Sequence, residues 1–138
     1  MNNLESDSKK KDSNMYGNTA HNIYAQNNIG VESPIKLVEM LYEGVLRFNA
    51  QAKKAIKDVN TEKKVYWTNR SIAIVTELIN TLDMSQGQVS EYLQGLYAYE
   101  IQLLTSASLD NDTDKLDEVS NVFKGLLEAW RETTDVVN

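Results

Sequence analysis

Cysteine is absent from this 138-residue chain, and histidine occurs once, as His21. That inventory excludes disulfides, thiolate nucleophiles, Cys/His zinc sites and histidine-based catalytic triads. Proline also occurs once, at Pro34, and no Asn-Gly or Asp-Gly turn separates alternating apolar runs, so strands and hairpins have no signal. Basic charge is in deficit. With 14 Lys and Arg against 20 Asp and Glu, the net charge is -6, which argues against a phosphate-backbone partner and therefore against nucleic acid. Nowhere do apolar residues run on far enough to span a bilayer, and no apolar stretch resembling a signal peptide opens the chain. The expectation is a soluble, cytoplasmic protein with no stable membrane insertion.

What is present is helical periodicity. Ser33 is a natural N-cap and Pro34 suits the first helical position, where no amide hydrogen is needed. Beyond them Leu37, Leu41, Val45, Phe48 and Ala52 share one stripe, with Ile35, Tyr42 and Leu46 on its shoulder. The apolar arc covers roughly half the circumference, wider than a helix packed on one side requires. The stripe reads as core, and the shoulder as surface for a second partner. A second helix follows a short connection capped by Asn60, with Val65, Ile72, Val75, Ile79 and Leu82 on one stripe and Trp67, Ile74 and Leu78 on another. The third, near 88–109, carries Val89, Leu93, Leu96, Leu103 and Ala107, flanked by Tyr92 and Tyr99 on one side and Tyr97, Ile101 and Leu104 on the other. The last repeats Leu116, Val119, Phe123, Leu126 and Trp130 at spacings of three and four.

Short connections make sequential helices antiparallel, so the expected fold is all-α: an antiparallel up-down four-helix bundle over 32–138 with a flexible N-terminal arm over 1–31. The arm begins with Asn, Ser, Asp and Lys, too polar to form a core, and continues with sparse apolar anchors at Met15, Tyr16, Ile23, Tyr24, Ile29 and Val31. One glycine in each of three helices, Gly44, Gly95 and Gly125, is expected to permit close helix approach despite its intrinsic cost.

Chemistry-bearing patterns are few. Asp110, Asp112 and Asp114 alternate like the start of a calcium loop, but Lys115 and Asn121 stand where that loop needs Gly and Glu, so a helix-capping turn explains them. A phosphotransfer bundle would need its histidine on a bundle helix, whereas His21 lies in the arm. Glutamates one turn apart, such as Glu39 and Glu43, read as a solvated face. No enzyme, cofactor or metal is implied. Glu100 falls within the apolar face of the third helix, so either it is paired, a tyrosine hydroxyl or Arg70 being the favoured partner, or that face is not fully closed. Apolar arcs wider than one seam in all four helices leave two readings, a homo-oligomer or a groove for a foreign helix.

Several motifs resemble the flagellin-specific export chaperones, FliS. They are Tyr24-Ala25-Gln26 in the arm, Ser33-Pro34-x-x-Leu37-Val38-x-Met40-Leu41-Tyr42-x-Gly44, Leu96-Tyr97-x-Tyr99, Leu104 with Asn111-Asp112 beyond it, and Glu128-Ala129-Trp130. The resemblance spans residues 24 to about 132 in order. It implies a four-helix bundle that binds the disordered C-terminal segment of flagellin, prevents premature polymerisation and delivers it to the flagellar export apparatus. A co-chaperone or flagellin regulator is left open as a further partner, and a self-associating structural helical module is the alternative. The chain departs from the family in its longer charged tail, and in Tyr16 lying well before Tyr24 where two arm tyrosines are usually close together. Tyr24, Ile35, Tyr42, Leu46, Tyr92, Leu96, Tyr97, Tyr99, Leu104 and Trp130 are the expected contacts for flagellin or the docked arm, with the arm covering the groove when it is empty.

Overall fold

Local capping starts and stops each helix. In the computed structural model, which describes residues 33–137, helix α1 spans Pro34–Lys57. Ser33 caps it by accepting the Lys36 amide at 3.3 Å. The chain leaves α1 through Val59, whose φ of 53° is a left-handed conformation uncommon for a β-branched residue, while the Asn60 amide reaches back to the Ala55 carbonyl at 2.8 Å. Asn60 then accepts the Lys63 amide at 3.0 Å and opens α2, Thr61–Asn80. A 3-10 turn, Met84–Gln86, leads to Gly87, whose φ of 70° and ψ of -128° suit only glycine. Helix α3, Gln88–Asp110, ends on left-handed Asn111, and Asp112 takes the amides of Asp114 and Lys115 to begin α4, Thr113–Val137. Of the alternating aspartates, Asp112 is therefore the cap, Asp110 an ion-pair partner that meets Lys115 at 3.0 Å, and Asp114 an acidic residue in the first turn of α4.

The four helices form a closed ring in which each packs on the two beside it, α1 on α2 and α4, and α3 on the same two. Cross-links of opposite polarity establish the antiparallel order. Lys53 near the end of α1 meets Asp117 near the start of α4 at 2.9 Å, while Trp130 near the end of α4 donates to the Ile35 carbonyl at 2.9 Å. The bundle is up-down-up-down, and among the described residues there is no strand. The expected arm lies outside the described residues.

The core holds Leu41, Val45 and Ala52 of α1, Val75 and Leu78 of α2, Tyr97, Leu104 and Ala107 of α3, and Leu116, Val119 and Phe123 of α4. Two expectations need correction. Helix α2 turns Lys64, Thr68 and Ser71 inward, whereas Val65 is exposed. The reason is Asn49 on α1, which accepts from the Ser71 hydroxyl at 2.6 Å and donates to Ser120 of α4 at 3.1 Å, so a polar layer crosses the bundle with its partners supplied. The glycines also divide. A Cβ on Gly44 would come within 2.6 Å of Ile74 Cδ1, a true close approach, but Gly95 and Gly125 face open space.

Gly95→Ala and Gly125→Ala should each raise the free energy of unfolding by about 1 kcal/mol, the helix-propensity gain at an uncrowded site. Gly44→Ala should gain clearly less, because Ile74 must shift. Urea denaturation of the three variants checks this, and a loss of stability at Gly95 or Gly125 would show that these glycines serve packing after all.

Candidate functional site

Three of the residues expected at the surface lie inside. Tyr42 is 3% exposed and Tyr97 2%, and Leu104 is fully buried. The two tyrosines can be buried because each satisfies the other: their hydroxyls meet at 2.6 Å across the ring from α1 to α3. Phe123 of α4 completes the group, stacked on Tyr97 with centroids 6.2 Å apart and edge-on to Tyr42 at 5.8 Å. These residues cannot touch a client in this conformation. They hold the helices that present the surface. Leu37, by contrast, is only partly buried, so the inward stripe of α1 begins at Leu41.

Putting Tyr97 inward sets the rotation of α3. Ser90, Tyr97, Glu100, Leu104 and Ala107 face the core. Five further apolar residues of this helix, Val89, Tyr92, Leu96, Tyr99 and Leu103, then fall on one outer shoulder at spacings of three and four, while Leu93 and Ile101 pack against the core and Leu109 stands exposed near the helix end. Val89 is 66% exposed, Tyr92 68% and Tyr99 51%, while Leu96 and Leu103 are half-buried between them. Tyr92 and Tyr99 are seven apart, and seven further on is Ser106, which accepts Lys115 Nζ of α4 at 2.6 Å. The shoulder therefore runs along the α4 side. On α4 the same seven-residue spacing from Lys115 gives half-buried Val122 and exposed Ala129, with Gly125 between them. Helices α3 and α4 make the sparsest pairing of the ring, so these two stripes border a shallow apolar groove. At 1.5 Å per residue, the α3 stripe is about 20 Å long.

Ile35 and Trp130 belong to a second patch. The indole Nε1 is bound to the Ile35 carbonyl and its ring stands edge-on to Tyr42 with centroids 6.4 Å apart, so Trp130 pins the last turns of α4 onto the first turn of α1. Arg131 reinforces the same seam, reaching Glu39 at 2.9 Å and Glu43 at 2.8 Å, and the guanidinium holds the Glu39 carboxyl below its ordinary value. Leu46 lies half-buried on this α4-facing side of α1. The expected contacts thus resolve into Tyr92, Leu96 and Tyr99 on the groove, Ile35, Leu46 and Trp130 on the α1/α4 seam, and Tyr42, Tyr97 and Leu104 beneath both. Tyr24 lies outside the described residues. Val89, Leu103 and Val122 extend the groove beyond those expected contacts; the seven-residue register of Val89 and Leu103 with Leu96, and of Val122 with Lys115, is the signal that could have found them.

Glu100 corrects a further expectation. It is 1% exposed, and no hydrogen bond joins it to a tyrosine or to Arg70; its Oε1 is buried without a partner. Arg70 lies on the opposite face of the bundle, stacked on Phe48. Burial pushes the Glu100 carboxyl up to about 7, with the nearby charge of Glu118 acting in the same direction. Elsewhere, a cavity of about 200 Å³ at the far end of the bundle is lined by Val59, Asn60, Lys64 and Asn111, but Lys64 Nζ is already bound to Asn111 Oδ1 at 2.9 Å. Among the described residues no group of His, Cys, Asp and Glu could hold a metal ion, and no helix is long and apolar enough to cross a membrane.

Comparison with known proteins agrees with the motifs. A family described as "Flagellar protein FliS" matches residues 16–136. The flagellar secretion chaperone FliS of Campylobacter jejuni subsp. jejuni serotype O:6 is 58% identical over 119 residues, covering 86% of this chain and 93% of that protein. The protein of the same description from Escherichia coli K12 is 30% identical over 127 residues, covering 86% and 92%, and that from Bacillus subtilis 168 is 31% identical over 109 residues, covering 79% and 81%.

Glu100 makes stability depend on pH in a defined direction. Its folded-state value lies above the ordinary 4.5, so between 4.5 and about 7 the folded chain keeps a proton that the unfolded chain has lost. The contribution is fully present below that window and is lost as pH rises through it. Between pH 4.5 and 7.5, Glu100→Gln should gain stability relative to the wild type by up to about 3 kcal/mol, measured as the difference between two denaturation series. Parallel pH profiles for the two proteins would refute the assignment.

Proposed function

The chain belongs to the FliS family, a family of flagellar secretion chaperones and not of enzymes, and from that premise we propose that it holds the disordered C-terminal segment of flagellin in the cytoplasm. The segment folds into amphipathic helices on the bundle, is kept from polymerising, and is delivered to the flagellar export apparatus. The observation that carries this reading is the outward stripe of α3. Tyr92 and Tyr99 stand exposed over half-buried Leu96 and Leu103, beside a stripe on α4 that has no bulky side chain at Gly125 or Ala129. An amphipathic helix laid along such a groove anchors residues at spacings of three, four and seven.

The mechanism is competition for apolar surface. Flagellin helices that would bury their apolar faces against other subunits bury them here instead, and no bond is made or broken. Folding a disordered segment costs about 2–5 kcal/mol of the gross interaction energy, so the client must cover a large area. The groove supplies one contact surface, and Ile35, Leu46 and Trp130 on the α1/α4 seam supply the second. Tyr42, Tyr97 and Leu104 act from beneath, by fixing the rotation of α1 and α3. The lid is a further part of the proposal: Ile23, Tyr24 and Ile29, which lie outside the described residues, would cover part of the groove when it is empty.

Calorimetric titration with a flagellin C-terminal peptide should give a one-to-one complex, and circular dichroism a gain of helix on mixing. Replacing Tyr92 and Tyr99 together by Ser should weaken binding by about tenfold or more with the fold retained, since both rings are largely exposed. Leu46→Glu tests the seam in the same way. No heat and no helix gain would remove the reading. Sedimentation showing that the free chain pairs through this face and forms no peptide complex would favour a self-associating module.

Deleting residues 1–30 should shift flagellin affinity or the tendency to self-associate, as read by the same titration and by sedimentation. The lid is wrong if neither moves.

A further inference from the structure

The outer face between α1 and α2 has a different chemistry from the groove. Phe48 carries two guanidinium groups, Arg70 at 4.8 Å and Arg47 at 5.2 Å from its ring centroid. Arg70 also lies 5.5 Å from the Tyr66 ring and 6.0 Å from that of Trp67, while Tyr66 and Trp67 meet edge-on at 4.8 Å. The cluster lies on the most extensively packed pair of helices, α1 and α2, beside the close approach where Ile74 Cδ1 fills the space over Gly44.

Neither arginine has a carboxylate partner. The ion pairs among the described residues join Lys36 to Glu39, Lys53 to Asp117, Lys115 to Asp110 and Arg131 to both Glu39 and Glu43, all away from this face. Glu77, two turns beyond Arg70 on the same side of α2, pairs with neither guanidinium. Arg70 Nη1 makes one hydrogen bond, to the Tyr66 hydroxyl at 3.3 Å, and its Nε is buried without a partner. In a chain of net charge -6, two guanidiniums gathered on one ring, neither ion-paired because Glu43 one turn before Arg47 is taken by Arg131, form a local field opposite to that of the whole protein. Stacking engages the face of a guanidinium and leaves its in-plane N–H groups for a planar acceptor, and Arg, Tyr and Trp are the residues that dominate binding energy at protein interfaces.

We propose that Arg47 and Arg70, seated on Phe48, Tyr66 and Trp67, form a second docking surface, which takes an acidic helical segment of a partner protein other than flagellin. The carboxylates of that segment pair with the two guanidiniums while its aliphatic side chains cover the exposed ring of Tyr66. This face lies between α1 and α2, the apolar groove between α3 and α4, and the second client surface on the α1/α4 seam, so a partner here and a client there share α1 but cover different sides of it.

The two tryptophans give separate reporters, Trp67 within the cluster and Trp130 on the α1/α4 seam. The test is an NMR titration of the full-length protein with a short synthetic helical peptide bearing a row of glutamates along one face, the indole signals being assigned with Trp67→Phe. The expected result is movement of the Trp67 signal without the Trp130 signal. Binding should weaken steeply with added salt, fall about tenfold in Arg47→Gln/Arg70→Gln, and persist when a flagellin C-terminal peptide is already bound. Equal binding of the matching glutamine peptide, movement of Trp130 alone, or displacement by the flagellin peptide would each overturn the proposal. The glutamine peptide and the salt series use the unaltered protein, so they decide the matter even if the double variant fails to fold.

Discussion

Tyr42 and Tyr97 cross the diagonal of the ring. Neighbouring helices in this bundle are held by packing along shared seams, but α1 and α3 share none, and the hydroxyl contact at 2.6 Å joins them directly. A buried hydroxyl that lacks a partner costs roughly 1–3 kcal/mol, so each tyrosine is tolerated in the core only while the other is in place. This reciprocal requirement sets the rotation of both helices. With Tyr97 facing in, Tyr92 and Tyr99 must face out, and with Tyr42 facing in, Leu46 and Ile35 are brought to the α4 side. Phe123 stacks on the pair and ties α4 to the same arrangement.

The polar layer above this aromatic group has a comparable effect on α2. Asn49 reaches Ser71 on one side and Ser120 on the other, linking three helices through one side chain. A core of hydrocarbon alone would allow neighbouring helices to slide or rotate with little penalty. A hydrogen-bonded layer discriminates between registers, because a slipped register leaves buried donors and acceptors unmatched. The register of α1 against α2 then brings Phe48 beneath Arg70, and that of α1 against α4 brings Arg131 between Glu39 and Glu43.

The helix ends were legible because capping is local: Ser33, Asn60 and Asp112 act on amides two or three residues away. The inward stripes of α1 and α4 were largely legible too, since Leu41, Val45, Leu116, Val119 and Phe123 stand out from polar neighbours at regular spacing. Helix α3 was not, for a physical reason. Its apolar residues cover so wide an arc that periodicity defines no single inward direction, and the deciding residues are Tyr97, which needs a partner on another helix, and Glu100, which looked misplaced on any apolar face. The inward turn of Thr68 and Ser71 on α2 depends on Asn49, a residue of another helix, and no local pattern contains that information. The same distinction divides the candidate site. Tyr92, Leu96 and Tyr99 were recognisable as surface aromatics and aliphatics around a family motif, while Tyr42, Tyr97 and Leu104 share the motif and lie inside it. A motif marks which residues matter together, but not which of them touch the client.

The groove is not optimised for the stability of the free chain. Gly95 and Gly125 sit in helix interiors over open space, where alanine would be favoured by about 1 kcal/mol each, and Tyr92 and Tyr99 leave apolar surface in water. Glu100 adds a buried carboxyl with an unpartnered oxygen on the inner side of the same helix. All of these costs fall on α3 and its border with α4, where the ion pair of Asp110 with Lys115 sits at the connecting turn, whereas the α1/α2 and α1/α4 seams carry the close approach at Gly44, the Lys53 and Arg131 ion pairs and the polar layer. A bundle with one firmly packed corner and one under-packed edge can accept a helix along that edge without losing its frame. Covering Leu96, Leu103 and the tyrosines would then stabilise the proposed complex, because the free protein leaves Tyr92 and Tyr99 largely in water and Leu96 and Leu103 only half-buried.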